Sequence, residues 1–545
     1  MPSSASRWPL LLVLGLGIAA VVGFWYAATR PSGQEMPAPG GAYVEGVAGA
    51  PSRVNPLFAS FNAVDADLAS LIFSGLVSLA ADGHVVPDLA ESWEISDDGT
   101  TYTFHLHRGL LWHDGEAFDA SDVAFTLQAI QDPDFRGDPA LAALFREVDI
   151  SMPDRLTLVL TLPQSFAPFL THATVGILPE HLLGSLDADA LYDGGFNQQP
   201  VGTGPFRLLE LSSYAAVLEG FPSYHLGQPH LERLELRFFR EEGELLTALR
   251  SRQIDGALFR PGLSADDVFF LESQSYLCRY ELHTTGYLVV YLNQEFEPFR
   301  DPLVRRALQH ALDRGAVAQA ALAGQGLPVD SPIPPGTWAY RDAPDAFRFD
   351  RAQAEALLDE AGWRRGGRGP RQKDGEALRF TLVTNDEPPR VAAAQEVARQ
   401  WAELGVEVTL AASGSTELLQ EILAPGEFEA ALFGLETGAD PDPYPLWHST
   451  QRGEDGRNLA GFSHAEADRL MEEARLTTDA ARRVFLYQRL QDIFVEELPV
   501  LLLYSPTYSY VVDRRFQGMN PGVLVTPASR FHDVHLWFTE TRVVE

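Results

Sequence analysis

The chain has 545 residues, of which 75 are acidic and 41 are basic, so its net charge is −34. This length predicts two to four folding units, and the acidic surplus argues against a nucleic-acid partner, because phosphate binding needs a basic face. The single cysteine, Cys278, excludes an intrachain disulfide framework and a cysteine-rich zinc site. The only lysine, Lys373, follows no glycine-rich run, which excludes a P-loop.

The chain opens with an uninterrupted apolar segment at residues 8–28. At helical rise this segment is long enough to cross the ~30 Å hydrocarbon core of a bilayer. Trp25 and Tyr26 stand where a signal-peptide cleavage site needs small side chains, so we expect an uncleaved transmembrane helix rather than a cleaved signal. Residues 1–30 are therefore predicted to be a membrane anchor or signal, and residues 31–41 a Pro/Gly-rich linker. The rest of the chain is predicted to be an extracytoplasmic domain.

The first part of that domain carries the signals of antiparallel strands. Asp97-Asp98-Gly99 is a turn sequence between two segments predicted as strands, at 93–95 and 101–107. Leucines alternate with other residues at 156–162, which predicts a further strand. Asp119 is placed to cap a helix that ends at Asp132-Pro133. These signals together predict a small antiparallel sheet with a helix beside it.

A later part of the chain alternates between strand and helix patterns. Strands are predicted at 378–384, 406–410 and 428–434, and a helix at 388–404 lies between the first two. A helical crossover of this length suits a pair of parallel strands. Because ligands sit outside the carboxyl ends of parallel strands, the loop at 434–438 is predicted to face a binding crevice. The second part of the domain is thus predicted to be α/β.

Short motifs also occur in order along most of the chain. They include VPDLAESW at 86–93, WHDG at 112–115, GTGPF at 202–206, DPLVRRALQHALDR at 301–314 and DPDP at 440–443. In this order the motifs resemble the extracytoplasmic solute-binding proteins of ABC importers, in the family of dipeptide- and oligopeptide-binding proteins. The resemblance implies an α/β, two-lobe periplasmic-binding-protein-like fold of type II, in the large class with an extra subdomain. It also implies a receptor rather than an enzyme, without a metal or another cofactor.

The resemblance divides the chain into lobes around a hinge. The first lobe is expected to be discontinuous and to comprise residues 42–72, 197–283 and 505–545. A subdomain of this lobe is expected at 73–196, and the second lobe at 284–504. The antiparallel signals fall in the subdomain and the alternating α/β signals fall in the second lobe, so the two lines of reasoning agree.

The resemblance also implies a ligand site between the lobes. In peptide binders of this family the ligand main chain pairs with protein main chain, as in strand addition. A segment ending in Glu436 is expected to supply this pairing from the second lobe, and a segment beginning at Ser60 from the first. Aromatic side chains are expected to form walls, although tryptophans of this kind more often pack in a core. The candidate ligand-binding residues are Ser60, Phe61, Asn62, Ala63, Tyr287, Asn293, Trp338, Gly434, Leu435, Glu436, Thr437, Asp440 and Trp447.

One departure from the family pattern concerns the ends of a peptide ligand. In peptide binders of the family, an aspartate commonly follows a few residues after the glycine that matches Gly434 and holds the ligand ammonium. In this chain Thr437 and Gly438 stand there. Either Glu436 or Asp440 takes that role, or the ligand has no free amino terminus; alternatively Glu436 is simply a solvated loop acid. No arginine precedes Gly434 on its strand, so no arginine clamp for a ligand carboxylate is predicted at that place.

The expected function is that of the receptor of an ABC import system, which captures a peptide between two lobes and delivers it to permease subunits with their ATPases. A monomer held at the outer face of the membrane by the N-terminal helix is expected. One alternative keeps the fold but binds a nickel complex, an oligosaccharide or an opine-like compound, and another is a tethered ligand sensor. A secreted hydrolase ranks last, because no nucleophile or metal motif is present in the sequence.

Overall fold

The computed structural model describes residues 34–343, 347–367, 369–453 and 456–544. The transmembrane helix or signal predicted at residues 1–30, and the start of the linker that follows it, lie outside these ranges. No helix within them is long and apolar enough to span a bilayer.

Buried side chains form two large hydrophobic clusters, one in each lobe of an α/β fold. The cluster of the second lobe draws only on residues between 287 and 504. The cluster of the first lobe draws on residues 43–282 and 510–537, and a small third cluster lies under the helix Glu242–Arg250. The predicted subdomain shares the core of the first lobe. The exact bounds of each lobe remain predictions.

One long strand, Val500–Asp513, runs from the second lobe into the first. Its first part pairs with Gly286–Leu292 and its later part with Leu277–His283, both antiparallel. The chain therefore crosses between the lobes on two neighbouring segments, 284–285 and 505–506. The hydroxyl of Ser505 donates to the carbonyl oxygen of Gly286 at 2.7 Å, which ties the two crossing segments together. We therefore predict the hinge at this pair of segments.

The sheet of the second lobe has the predicted parallel strands. Arg379–Asn385 pairs in parallel with Glu407–Ser413 and with the start of Ala430–Glu436. The connecting helix is Pro388–Leu404, with the predicted bounds. Two prolines fit its first turn because the N–H groups there have no partner within the helix. It ends at Gly405, whose φ of +85° suits glycine.

The subdomain confirms the antiparallel prediction. In the subdomain sheet, strand Thr101–Leu106 pairs antiparallel with Ala90–Ile95 and Thr157–Thr161, and the latter pairs with Asp149–Asp154. Asp119 caps the helix Ala120–Gln131 as predicted, through hydrogen bonds in both directions of a capping box. Elsewhere in the first lobe, Ala42–Ala48 lies between parallel partners. These are Arg233–Phe239 and Gly256–Phe259.

The chain forms further strands and helices besides these. The strands are Gln34–Ala38, Val77–Leu79, Val85–Pro87, Phe206–Leu211, Ala215–Gly220, Gly326–Pro328, Arg364–Arg365, Arg371–Lys373, Glu376–Ala377 and Glu540–Val544. The helices, including short 3₁₀ turns and the π-helical Leu418–Leu423, are Ala59–Phe61, Ala63–Ile72, Pro139–Phe145, Phe169–His172, Glu180–Leu183, Ala188–Asp193, Gly195–Gln198, Ala265–Ser273, Glu297–Arg300, Pro302–His310, Arg314–Leu322, Arg351–Glu360, Ser415–Glu417, Tyr444–Trp447, Ser449–Gln451, Ala465–Leu476, Ala480–Glu497, Pro527–Phe531 and Val534–Leu536.

Candidate ligand-binding cleft

A cavity of about 900 Å³ lies between the lobes beside the hinge. The second lobe contributes the strand end at 434–436 and Tyr287 to its wall, and the first lobe contributes Arg260, Tyr508 and the segment 524–527. The volume is at the upper end of the range for small-molecule sites, about 300–1,000 Å³. The cavity can therefore hold a ligand of several residues' bulk.

The strand Ala430–Glu436 has one unpaired edge along this cavity. On one side it pairs with Gly286–Leu292 over its whole length. On the other side it pairs with Arg379–Asn385 only at Ala430 and Ala431. Beyond Ala431, no described strand covers that edge. The carbonyl oxygen of Leu432 accepts from the hydroxyl of Thr384 at 2.9 Å, so the main-chain groups that a further extended segment can pair with are those after Leu432.

Arg390, in the first turn of the helix Pro388–Leu404, also lines the cavity. Its guanidinium lies against Gly434, since a Cβ added at that residue would come within 2.7 Å of Arg390 Nη2. Arg390 Cζ is 5.0 Å from the ring centroid of Phe433. Nη1 is buried and has no hydrogen-bond partner in the described part of the chain. The guanidinium is thus fixed in the wall with donors that the protein does not use.

The absence of an arginine clamp at this place stays a prediction. The strand carries none, but the neighbouring helix brings Arg390 to the same place. One signal in the sequence pointed to it: Arg390 opens a helix that directly follows a parallel strand, and such helix starts lie at the ligand edge of an α/β sheet. Burial lowers the pKa of Arg390, and the nearby charges of Glu387 and Glu436 oppose this shift. The group stays cationic near neutral pH, as arginine does in proteins.

Two other charged side chains around the cavity differ in whether the protein already pairs them. Arg260 is held within the first lobe, where its Nε donates to Glu242 Oε2 at 3.0 Å. Glu436 is exposed, and because it lies two residues after Gly434 it points to the same face of the strand, about 7 Å further along. One side of the strand end therefore presents a cation and then an anion to the cavity.

The structure brings together only part of the predicted ligand site. Tyr287, Gly434, Leu435 and Glu436 line the cavity, although the hydroxyl of Tyr287 is occupied by the carbonyl oxygen of Pro332 at 2.7 Å. Thr437 does not line the cavity; its Oγ1 donates to the carbonyl oxygen of Thr285 at 3.2 Å. The candidates that do not line it are Ser60, Phe61, Asn62, Ala63, Asn293, Trp338, Asp440 and Trp447.

Two of these candidates stabilise local structure. Asn62 caps the helix Ala63–Ile72 by accepting from Val64 N at 2.9 Å. The amide of Asn293 donates to the carbonyl oxygen of Phe428 at 2.8 Å, which fixes the chain just before the cavity strand. The side chains of both residues are therefore hydrogen-bonded to the protein main chain.

The two tryptophans pack within the protein. Trp447 is 1% exposed, and its ring meets that of Phe494 edge-on, with 5.0 Å between centroids. Trp338 is half-buried, with its ring centroid 5.7 Å from that of Tyr487 and under the guanidinium of Arg483. Their contacts are those of packing residues.

Asp440 is already paired inside the second lobe. Its two carboxylate oxygens accept from Arg483 Nη1 and Nη2 at 2.7 and 2.9 Å. Of the two acids considered for a ligand ammonium, Glu436 is the one that lines the cavity.

Comparison with known proteins is consistent with this geometry. A family model described as bacterial extracellular solute-binding proteins, family 5, matches residues 84–457. The chain belongs to this family. It is 28% identical over 526 residues to the oligopeptide-binding protein AppA of Bacillus subtilis, covering 93% of this chain and 94% of AppA. It is also 28% identical over 517 residues to the dipeptide-binding protein of Escherichia coli, covering 89% and 92%.

A solved structure has the same two-lobe fold. Bacillus subtilis AppA in complex with a nonapeptide gives a TM-score of 0.65 at 26% identity, covering 94% of this chain and all of that one (100%). The predicted family membership and two-lobe α/β fold are confirmed. As a member of an extracellular solute-binding family, the protein acts outside the cytoplasm.

Proposed function

We propose that this protein is the substrate-binding receptor of an ABC import system, which captures a peptide between its lobes and delivers it to permease subunits with their ATPases. The observation that carries this proposal is the unpaired strand edge after Leu432, which borders the cavity. An extended peptide can add to such an edge through main-chain hydrogen bonds, whatever its sequence. The peptide-binding names of the two relatives described above support the same ligand class.

The mechanism needs no covalent step. A ligand that touches both walls of the cavity favours the closed form by its differential affinity for that form. Closure turns the first lobe, at 42–72, 197–283 and 505–545, together with its subdomain. This lobe moves against the second lobe, at 284–504, about the hinge segments. The closed form then docks on the permease, and opening releases the solute. We place a monomer at the outer face of the membrane, attached through the N-terminal segment.

The test begins with thermal shift and calorimetry on the folded protein. The panel holds dialanine, trialanine, a mixed-sequence octapeptide, a nickel–histidine complex, maltotriose and octopine. We expect at least one peptide to raise Tm and to bind saturably. If every peptide leaves Tm unchanged while the chelate, the sugar or the opine raises it, the peptide assignment is wrong and the responding class replaces it.

A second test addresses strand addition itself. In an extended peptide, alternate N–H groups point to opposite sides, so only one set can reach the protein edge. N-methylation of that set removes hydrogen bonds of about 0.5–1.5 kcal/mol each, and we expect about 10-fold weaker binding. The same peptide methylated on the other set is the matched control and is expected to bind as before. Equal losses from both sets would show that the ligand does not pair with the strand edge.

A further inference from the structure

Gln325 differs from Gln491, another buried glutamine of the second lobe, in the lobe that its side chain contacts. The amide group of Gln491 accepts from Ser331 Oγ at 2.7 Å and donates to the carbonyl oxygen of Ala339 at 3.0 Å, so it bonds within the second lobe. Gln325 belongs to the same lobe, because it follows the helix Arg314–Leu322, whose apolar side chains lie in the second-lobe cluster. Its own side chain, however, reaches the first lobe.

The side chain of Gln325 is bonded to the loop that follows the first-lobe strand Gly256–Phe259. Its Oε1 accepts from the N–H groups of Gly262 and Leu263 at 3.3 Å each, and its Nε2 donates to the carbonyl oxygen of Leu263 at 2.6 Å. Its main-chain carbonyl oxygen accepts from the N–H of Thr507 at 3.1 Å, just past the second crossing segment. Three side-chain bonds and one main-chain bond therefore fix a residue of the second lobe to the first lobe.

Glycines stand on both sides of this anchored residue. Gly324 has a φ of +87°, and glycine main chain turns through angles that are closed to other residues. Gly326 begins the short strand Gly326–Pro328 and packs so closely on Tyr504 that an added Cβ would come within 2.9 Å of its ring. Gln325 is thus anchored in the first lobe and joined to the second lobe by backbone that can rotate.

This anchor lies in one row with the two crossing segments. Tyr504 pairs with Leu288 on one edge of its strand and with Pro328 on the other, so the strand that follows Gln325 lies on the opposite side of 505–506 from 284–285. We propose that Gln325 is a positioning residue that forms a third crossing point between the lobes and keeps the two walls of the cavity aligned as the cleft closes. A row of three attachments resists twisting of one lobe relative to the other more than two adjacent attachments do.

The proposed crossing point adjoins the ligand site. Arg260 and Pro261, directly before the bonded Gly262, line the cavity from the first lobe, and Leu322 lines it from the second. A ligand that contacts both walls binds only molecules in which these walls are aligned. Misalignment lowers the fraction of such molecules and raises the apparent Kd in proportion. The inference rests on the proposed function only in using a peptide to report this effect.

The first test measures the geometry of the lobes without a ligand. Spin labels are attached at Tyr214→Cys in the first lobe and Glu360→Cys in the second, both exposed positions, with Cys278→Ser as the background. Double electron–electron resonance then gives the distribution of distances between the labels. We expect Gln325→Leu, which removes the side-chain bonds at similar size, to broaden this distribution. Gln491→Leu, which loses bonds within one lobe only, is the matched control and should keep the wild-type width.

The second test measures binding of the tightest-binding peptide of the panel above by calorimetry. We expect Gln325→Leu to raise Kd by about 3-fold to 10-fold and Gln491→Leu to leave it unchanged, once the fraction of folded protein is taken into account. Gln325→Glu keeps oxygen acceptors for the two N–H groups but, when ionised, cannot donate to Leu263. It should lie between wild type and Gln325→Leu in both tests, and it carries the comparison if Gln325→Leu does not fold.

The outcomes separate this inference from the proposed function. If Gln325→Leu lowers Tm but keeps the wild-type distance distribution and Kd, Gln325 stabilises only its loop and the inference is wrong. A shift of the whole distribution to longer distances at unchanged width also overturns it, because Gln325 would then be a contact of the closed form and not a crossing point. If no peptide binds wild type, the proposed function fails, while the distance measurement still decides the role of Gln325.

Discussion

Arg530 in the first lobe and Arg390 in the cleft are both withdrawn from solvent, but the protein treats them differently. Arg530 donates to Glu45 Oε1 at 2.9 Å and to both oxygens of Asp67 at 2.7 Å. All three side chains of this cluster are almost fully buried. Arg390 lies against an aromatic ring and Gly434; Glu387 and Glu436 are nearby, but no carboxylate in the described part of the chain pairs with it. The comparison teaches that a buried cation held by its own anions serves the fold, whereas Arg390 lines the cavity without such a pair.

Removing each cation in turn is the strongest way to break this comparison. Arg530→Met leaves Glu45 and Asp67 buried without their partner, and breaking a buried ion pair in this way costs about 3–5 kcal/mol. We expect the free energy of unfolding in urea to fall by that amount. Arg390→Met leaves no buried acid behind, so its free energy of unfolding should change by less than about 1 kcal/mol.

The effect on ligand affinity should have the opposite order, with a larger loss in Arg390→Met than in Arg530→Met. Once the fraction of folded protein is taken into account, Arg530→Met should bind ligand as wild type does, because Arg530 does not line the cavity. Equal losses of stability in the two variants would show that Arg390 has a structural partner after all, and the contrast between the two sites would disappear.

The same contrast explains how much the sequence predicts. The helix at 388–404 is predictable because its signals are local: prolines in the first turn, apolar residues at helical spacing and a glycine at the end. The strand end at 434–436 is predictable from the position of ligand sites in parallel sheets. Both predictions rest on local sequence patterns.

Partnerships between distant residues are not predictable in this way. The position of Arg390 in the first turn puts it near the ligand edge of the sheet. Only the packing of that helix against the strand Ala430–Glu436 brings its side chain against Gly434 and leaves Arg399 in solvent. The sequence makes Asp440 a reasonable ammonium receptor, but the fold pairs it with Arg483, 43 positions away. The charge of a side chain follows from its residue type, whereas the residue that pairs with that side chain is determined by the tertiary fold.

His113 extends the comparison to a buried group that is uncharged. In its neutral form both ring nitrogens have hydrogen-bond partners. Its Nε2 donates to the carbonyl oxygen of Gly204 at 2.9 Å and its Nδ1 accepts from the N–H of Gly202 at 3.3 Å. Burial lowers the pKa of His113 to about 4. The unfolded chain, with a histidine pKa of about 6.5, therefore binds this proton more readily than the folded one.

This shift makes stability depend on pH with a defined sign. Between pH 6.5 and 4 the unfolded state holds more protons, so the free energy of unfolding falls as pH falls. For His113 alone we expect a loss of about 2 kcal/mol between pH 7.5 and pH 5. Urea titrations of wild type and His113→Gln at both pH values isolate this contribution, and His84→Gln, at a surface histidine, is the control. An equal pH dependence in wild type and His113→Gln would contradict the assignment.

The smallest expected effect concerns contacts that cross between the subdomain and the second lobe. The backbone N–H of Ala167 donates to the carbonyl oxygen of Arg475 at 2.7 Å, and Ser165 Oγ donates to that of Leu476 at 2.7 Å. Between these bonds the guanidinium of Arg475 lies over the ring of Phe166, 5.3 Å from its centroid. This contact joins the predicted subdomain to the second lobe, so we expect it to break if the cleft opens by separating the two.

Phe166→Ala tests whether a partnered cation at this contact contributes to closure. Loss of a cation–π contact at a partly exposed site costs about 0.5–1 kcal/mol. Because the closed form binds ligand, a smaller closed fraction weakens apparent binding in proportion, and we expect about 3-fold higher Kd by calorimetry. Phe485→Ala removes a similar contact, Arg482 over Phe485 at 5.2 Å, within one helix, and should leave Kd unchanged. If both variants bind ligand equally well, Arg475 belongs with Arg530 among the cations that serve the fold alone.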